Sequence, residues 1–348
     1  MDSSVKLKII NLLKTLPVCK PTSNHKNWVI RCPYCGDSKT ANHGHFSILI
    51  DVNSDTPIIY RCFRCNESGI LTNSTLEDLG IYLSSDIKNS LIYYNKYSSR
   101  NRISNNEPKN YKIPSWNLCT NNLKKLLYIN TRLGTSLSLE DCINYKIILS
   151  IKEFLEYNKI YYNQENHAML KSKTIEELEN NYVGFLSSNN NKITFRDISN
   201  NGFFGRYYKI TLDLYNNSTN TFYALDAQYD LLYTDSIHVH ITEGTFDILG
   251  VYLNINHNHL QNNLFLASCG FGFTRILKFL IYKGVTTNII LHVYADADKS
   301  DKEILNTFNN EFYNIWIDSI IIHRNIISGE KDYGVTKDRI NDFSYKIK

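Results

Sequence analysis

HVYADADKSD, residues 292–301, decides how the C-terminal third of the chain is read. It closes the apolar run Ile289-Ile290-Leu291-His292-Val293-Tyr294 with two carboxylates, Asp296 and Asp298, one alanine apart. Side chains two apart on a strand share a face, so the two aspartates would stand together at the end of a buried strand. Like charges held that close raise one another's pKa and destabilise the fold. A positive partner is therefore expected between them.

Around this stretch, apolar strand runs alternate with helical spacing. Strands are expected at Ile237–Ile241, Leu264–Ala267, Ile289–Tyr294 and Ile317–His323. Helices are expected at Phe246–Leu253, Thr274–Tyr282 and Lys302–Tyr313. Such alternation builds a parallel sheet covered by helices, with ligands bound beyond the carboxyl ends of the strands. The first strand runs into Thr242-Glu243-Gly244-Thr245-Phe246-Asp247, the third into Asp296-Ala297-Asp298 and the fourth into Gly329-Glu330-Lys331-Asp332. If these strands are neighbours, Glu243, Asp296 and Asp298 converge on one rim, joined by Asp247 and Asp332. A patch of hard oxygen donors selects Mg²⁺ or Mn²⁺. Gly270-Phe271-Gly272 reads as a tight turn between strand and helix. No G-x-x-x-x-G-K-[ST] phosphate loop occurs, which argues against a built-in helicase motor.

At the other end of the chain, four of the eight cysteines form two C-x-x-C pairs, Cys32/Cys35 and Cys62/Cys65. Two such knuckles give closed tetrahedral sulfur ligation, the pattern of one structural zinc ion. The runs His45–Val52 and Ile58–Arg61, separated by Asn-Ser-Asp-Thr-Pro, make a β-ribbon with a knuckle at each end. His25, His43, His45 and Cys19 lie close by as bystanders. Cys119, Cys142 and Cys269 stand in apolar contexts and read as core thiols.

Composition is that of an ordinary globular protein, 43% hydrophobic and 21% charged. No apolar run is long enough to span a bilayer, and MDSSVKLKIINLLKTLP reads as an amphipathic helix rather than a signal peptide. A cytoplasmic location, host cytoplasm for a viral chain, is expected, with no membrane partner. The net charge is +4, and residues 1–72 hold nine basic and five acidic residues, so that segment carries the whole excess. A basic module ahead of a neutral body suits contact with nucleic acid. The expected organisation is a zinc ribbon over 1–72 and a hydrophilic tether over 73–112 with a short helix near 76–92. A basic α+β subdomain follows over 113–232, and the α/β sheet domain with flanking helices over 233–348.

A zinc ribbon, a spacer and an E-G…D-x-D…K-D sheet in that order resemble the DnaG-type DNA primases and the primase half of phage primase–helicases. The acidic sheet resembles the TOPRIM domain, and CPYCGDSKTANHGHFSI…YRCFRCNESGIL resembles the zinc module, with four cysteines as in phage members. LKKLLYINTRLGTSLSLEDCINYKI (123–147) resembles the helical entry to the catalytic core. YVGFLSSNNNKITFRDISNNGFFGRYYK (182–209) resembles the basic subdomain beside TOPRIM. The resemblance covers about two-thirds of the chain and lacks the helicase region.

It implies synthesis of short RNA primers on single-stranded DNA from NTPs by Mg²⁺-dependent nucleotidyl transfer, in partnership with a separate replicative helicase. By the same resemblance Glu243, Asp296 and Asp298 are catalytic and hold metal, and Asp247 and Asp332 assist. Glu243 acts either as a ligand or as a general base. Arg196, Arg206 and Lys209 are candidates for template and nucleotide contacts, with Tyr207 or Tyr208 as a stacking face, and Lys299 and Lys331 for triphosphate. Arg61, Arg64 and Tyr34 flank the ribbon knuckles and are expected to read template. Rival readings are a TOPRIM nuclease or recombination protein, and a non-catalytic zinc-ribbon DNA-binding protein.

Overall fold

A computed structural model describes residues 3–23, 25–34, 43–54, 57–64, 67–102, 111–161, 171–212, 222–225, 236–255, 263–269, 273, 276–277, 279–280, 288–296, 299–306, 317–330 and 332–347. Cys35, Cys65, Asp298 and Lys331 lie outside these residues, as do most of the helices expected at 274–282 and beyond Asn306. The chain is mixed α/β and forms two compact units, residues 1–110 with 209–219, and residues 111–208 with 220–348.

In the first unit, β1 (Cys19–Pro21), β2 (Asn27–Ile30), β3 (Phe46–Leu49), β4 (Ile59–Cys62) and β5 (Ser68–Ile70) form an antiparallel meander in chain order. The period-2 pattern decides its faces: Trp28, Ile30, Phe46, Ile48, Tyr60 and Cys62 alternate inward. Helix α1 (Ser3–Leu13) covers them with Val5, Ile9, Ile10 and Leu13, one face at helical spacing. The segment expected as a tether with a short helix near 76–92 holds two helices among its described residues, α2 (Asn73–Asp78) and α3 (Ser85–Arg102). Leu76, Ile81 and Leu91 join the ribbon core, and Asn95 donates to the Leu71 carbonyl at 3.0 Å. The Ser/Asn/Tyr-rich composition hid three apolar anchors, which bury enough surface to order the helices.

The second unit opens with α4 (Thr120–Leu133), ended by Gly134 in the left-handed region at φ 64°. A capping box follows, with Ser138 and Asp141 exchanging bonds at the start of α5 (Leu139–Asn144). Next come β6 (Ile147–Ile148), α6 (Ile151–Tyr157), α7 (Ser172–Asn181), β7 (Tyr182–Leu186), β8 (Lys192–Asp197) and β9 (Tyr207–Thr211), with sheet order β6-β7-β8-β9.

The larger sheet has the order β10 (Tyr223–Leu225), β12 (Asn263–Ala267), β11 (Ile237–Thr242), β13 (Ile289–Tyr294), β14 (Ile317–Asn325), β15 (Asp342–Lys346). Its four central strands are parallel, as the alternation implied, and both outer strands are antiparallel. Helix α8 (Thr245–Asn254) follows β11 and α9 (Asp301–Asn306) follows β13. One face is aliphatic: Val239, Ile241, Leu264, Leu266, Leu291, Val293, Ile320 and Ile322 meet Ile276, Leu277 and Leu280. Each such side chain contributes about 1.5–3 kcal/mol on burial.

The opposite face carries a polar ladder that the apolar reading of these strands did not anticipate. Facing ring nitrogens of His238 and His292 lie 2.9 Å apart, as do those of His292 and His323. His323 Nδ1 lies 2.7 Å from Asp342 Oδ2, and the Tyr333 hydroxyl donates to Asp342 Oδ1 at 2.6 Å. One tautomer satisfies the whole row. If each ring carries its proton on Nδ1, each donates toward the carboxylate and accepts from the preceding ring. Burial opposes ionisation of Asp342, but the bonds from His323 and Tyr333 outweigh it and hold the carboxyl below its ordinary value.

Asp342→Ala should therefore cost about 2 kcal/mol of stability at neutral pH, measured by denaturant unfolding. A depressed carboxyl stabilises above its unfolded pKa and loses that contribution as pH falls through the folded one. The gap between wild type and variant should accordingly narrow below about pH 4.

Candidate functional site

The carboxyl ends of β11 and β13 build the site. Thr242, the last residue of β11, pairs in parallel register with Tyr294, the last of β13. Glu243 follows Thr242 directly, and Asp296 stands two residues beyond Tyr294, so both leave neighbouring strands at one sheet edge. Arg324 on β14 fixes the segment after β13. Its Nη1 donates to the Asp296 carbonyl at 2.8 Å and its Nη2 to the Asp301 carboxylate at 2.9 Å.

Asp247 lies in the first turn of α8 and is half-buried. Gly334 N donates to its Oδ1 at 2.9 Å. A Cβ at Gly244 or at Gly334 would overlap the Asp247 carboxylate, so both glycines are needed for the backbone to approach it. Burial pushes the Asp247 carboxyl up to about 7, and the Asp332 and Asp296 carboxylates push in the same direction. Three of the carboxylates named from the sequence therefore act on one another, and Glu243 borders them on the same edge. Asp298 lies outside the described residues.

Two arginines stand beside Asp332, and a third shares the Tyr207 ring with one of them. Arg132 at the end of α4 and Arg206 each place Nη2 3.9 Å from Asp332 Oδ2. Arg196 on β8 is 8% exposed, and its Nε and Nη1 are buried without a hydrogen-bond partner among the described residues. The Arg196 and Arg206 guanidinium groups lie 4.8 and 5.6 Å from the Tyr207 ring centre. An orphaned buried guanidinium is costly unless an anion completes it. The chain thus sets a carboxylate cluster suited to a hard divalent cation beside donors suited to phosphate.

Arg132 was not among the residues singled out in the sequence. Its signal was faint: an arginine in the last turn of an amphipathic helix, two positions before the capping glycine. Lys209, expected on a template surface, is buried in the first unit, and its ammonium lies 3.4 Å from the buried Glu67 carboxylate. Tyr208 is buried and its ring stacks on Phe204 at 4.2 Å, so it is not an open stacking face. Lys299 follows the Asp296 turn, its backbone N–H donating to the Asp296 carbonyl at 3.0 Å.

In the first unit, Tyr34 N lies 3.4 Å from Cys32 Sγ and Arg64 N lies 3.4 Å from Cys62 Sγ. An N–H two residues on that faces a buried sulfur is the knuckle geometry that prepares a thiolate ligand. Cys35 and Cys65 lie outside the described residues. Phe63 is exposed at one knuckle, with the Arg61 guanidinium 5.7 Å from its ring centre. Cys142 is a core thiol as expected, whereas Cys119 is exposed ahead of α4.

No protein family profile matches the chain, and no curated protein matches it. Among solved structures, the primase fragment of the bacteriophage T7 primase–helicase protein aligns over 88% of this chain and 92% of its own, at 13% identity and a TM-score of 0.30. A likeness of that size fixes neither fold nor function. No helix among the described residues is long and apolar enough to cross a membrane.

A carboxyl raised to about 7 binds a proton in the native state that it lacks in the unfolded chain between about pH 4 and pH 7. Metal-free stability should therefore fall as pH rises across that range. Asp247→Asn keeps an oxygen for Gly334 N and removes the charge. In EDTA it should be more stable than wild type at pH 8, by up to ~4 kcal/mol, with the gap closing toward pH 4–5. Thermal unfolding of both proteins across pH measures this.

Proposed function

We propose that the chain is a DNA primase that joins ribonucleotides on a single-stranded DNA template. The observation that carries this reading is the half-buried Asp247 at the end of a parallel sheet, whose carboxyl is raised by desolvation and then by Asp332 and Asp296, with arginines beside Asp332. The resemblance of the zinc ribbon and the E-G…D-x-D…K-D order to DnaG-type primases, with a TOPRIM sheet, supports the choice of reaction.

In this reading Glu243, Asp247, Asp296, Asp298 and Asp332 would hold Mg²⁺ or Mn²⁺. The bound cation would supply Lewis-acid neutralisation of the triphosphate and of the attacking 3′-hydroxyl. Asp247, with its carboxyl raised to about 7, would give up its proton to make room for the cation. Arg132, Arg196 and Arg206 would pair with triphosphate or template phosphate, and the unbonded Nε and Nη1 of Arg196 offer two donors for that purpose. The Arg196 and Arg206 guanidiniums, lying over the Tyr207 ring, are held in place for in-line positioning. Lys299 and Lys331 would serve as further triphosphate contacts. Cys32, Cys35, Cys62 and Cys65 would hold one zinc ion that braces the ribbon, with Arg61, Arg64 and Tyr34 directed at template and Phe63 as an exposed ring among them. A separate helicase would supply unwound template.

The test combines single-stranded DNA, Mg²⁺ and labelled NTPs. Short RNA products are expected from wild type. Glu243→Gln and Asp296→Asn should each lower synthesis by about 100-fold or more with folding intact, since the carboxylates supply several kcal/mol through the cation they hold. Cleavage of the template without synthesis would favour a nuclease. Retention of DNA without either reaction would favour a binding module, and both outcomes contradict the proposal.

A further inference from the structure

The loop between β8 and β9, residues 198–206, is unusually well anchored for an exposed turn. Asp197 Oδ1 accepts from Ser199 N and Ser199 Oγ, both at 2.8 Å, and its Oδ2 accepts from Gly202 N at 2.9 Å. Burial opposes ionisation of Asp197, but these N–H and O–H donors hold its carboxyl below the ordinary value. The Tyr182 hydroxyl accepts from Phe204 N at 3.1 Å and donates to the Gly205 carbonyl at 2.9 Å. Gly205 takes φ 75° with open space around it, which lets the chain reverse at that point. Phe203 N donates to Glu177 Oε1 of α7 at 2.8 Å.

All of this holds still a residue that buries almost nothing. Phe203 is 84% exposed, the largest exposure among the large hydrophobic side chains described. Its ring meets Phe204 edge-on at 5.3 Å, and Phe204 stacks on Tyr208 beneath it. Stability does not explain the arrangement, because a polar residue at position 203 would keep every one of these backbone bonds. Three residues further on, Arg206 has a side chain 63% exposed, and it reaches Asp332 of the carboxylate cluster. Rigidly presented aromatic area beside an exposed arginine is the composition that takes a base on the ring and its phosphate on the guanidinium. A protein partner would be expected to meet a wider apolar patch, and the residues that flank Phe203 and Phe204 in this loop are Asn200, Asn201, Gly202, Gly205 and Arg206.

We propose that Phe203 is a base-stacking platform for single-stranded nucleic acid, with Arg206 contacting the adjoining phosphate. It directs the strand to the Glu243/Asp247/Asp296/Asp332 edge. The inference rests on the polymerising reading above in taking a polynucleotide as the occupant. It also replaces the stacking faces expected from sequence: Tyr208 is covered by Phe204, and Tyr207 lies beneath two guanidinium groups.

The test is binding rather than synthesis, measured in EDTA so that no metal or reaction is needed. Full-length wild type, Phe203→Ala and Phe203→Trp are titrated against a fluorescent twelve-nucleotide oligothymidylate and an abasic oligomer of equal length. Phe203→Ala should weaken oligothymidylate binding about 10-fold and Phe203→Trp should restore it to within about twofold. On the abasic oligomer the effect of Phe203→Ala should shrink to less than about twofold, because no base remains to stack. Equal binding by wild type and Phe203→Ala would overturn the proposal. So would an equal loss on both oligomers, which would mark a general change in the protein. A chain that binds with the expected Phe203 dependence yet makes no RNA would contradict the primase reading alone. One that makes RNA without Phe203 dependence would contradict the stacking platform alone.

Discussion

Carboxylates that are far apart in sequence meet at one edge of a parallel sheet, and their repulsion is the constraint the second unit is built around. Left alone, such a cluster weakens the fold that forms it. The protein answers in two ways visible in its own side chains. Asp247 holds on to a proton near neutrality, with Gly334 N bonded to its other need, and arginines lean on Asp332 from another element. In the proposed reading a divalent cation would be the third answer, turning an electrostatic liability into chemistry.

The rest of the unit reads as support for that edge. Parallel register between β11 and β13 brings Glu243 and Asp296 to the same level. Arg324 grips both the Asp296 carbonyl and Asp301, which ties these two residues to β14. Glycines 244, 250 and 334 admit contacts that any Cβ would block, and Gly250 lies against the backbone at Tyr333. On the polar face, the histidine row ends at Asp342, which also accepts from Tyr333, and Tyr333 is the neighbour of Asp332 in the chain. The segment carrying Asp332 is thereby tied to β15 and to α8 at once.

Much of this was legible in the sequence, and for identifiable reasons. Strict strand–helix alternation announced the parallel sheet, and Ile289–Tyr294 is a strand at the bounds read from its apolar run. Acidic residues placed just after strands announced the edge. The paired C-x-x-C spacing announced two knuckles, and the described half of each has the expected N–H facing sulfur. What the sequence hid depends on contacts between distant residues. The described part of the expected tether holds more helix than the one read there, and Leu76, Ile81 and Leu91 join the ribbon core, a fact no local composition reveals. His238, His292 and His323 looked like interruptions in apolar strands, and only the register makes them a row. Lys209 looked like a surface cation because nothing local pointed to Glu67, 142 positions away. Phe203 and Phe204 are indistinguishable as letters, and the loop turns one in and the other out.

The central claim is that the carboxylate edge exists to take a divalent cation. Calorimetric titration of Mn²⁺ into the metal-free chain at pH 7, in buffers of different ionisation enthalpy, tests it most directly. The account predicts saturable binding accompanied by net proton release, with both lost in Asp296→Asn. Absence of saturable binding in wild type, or binding that survives unchanged in that variant, would contradict it.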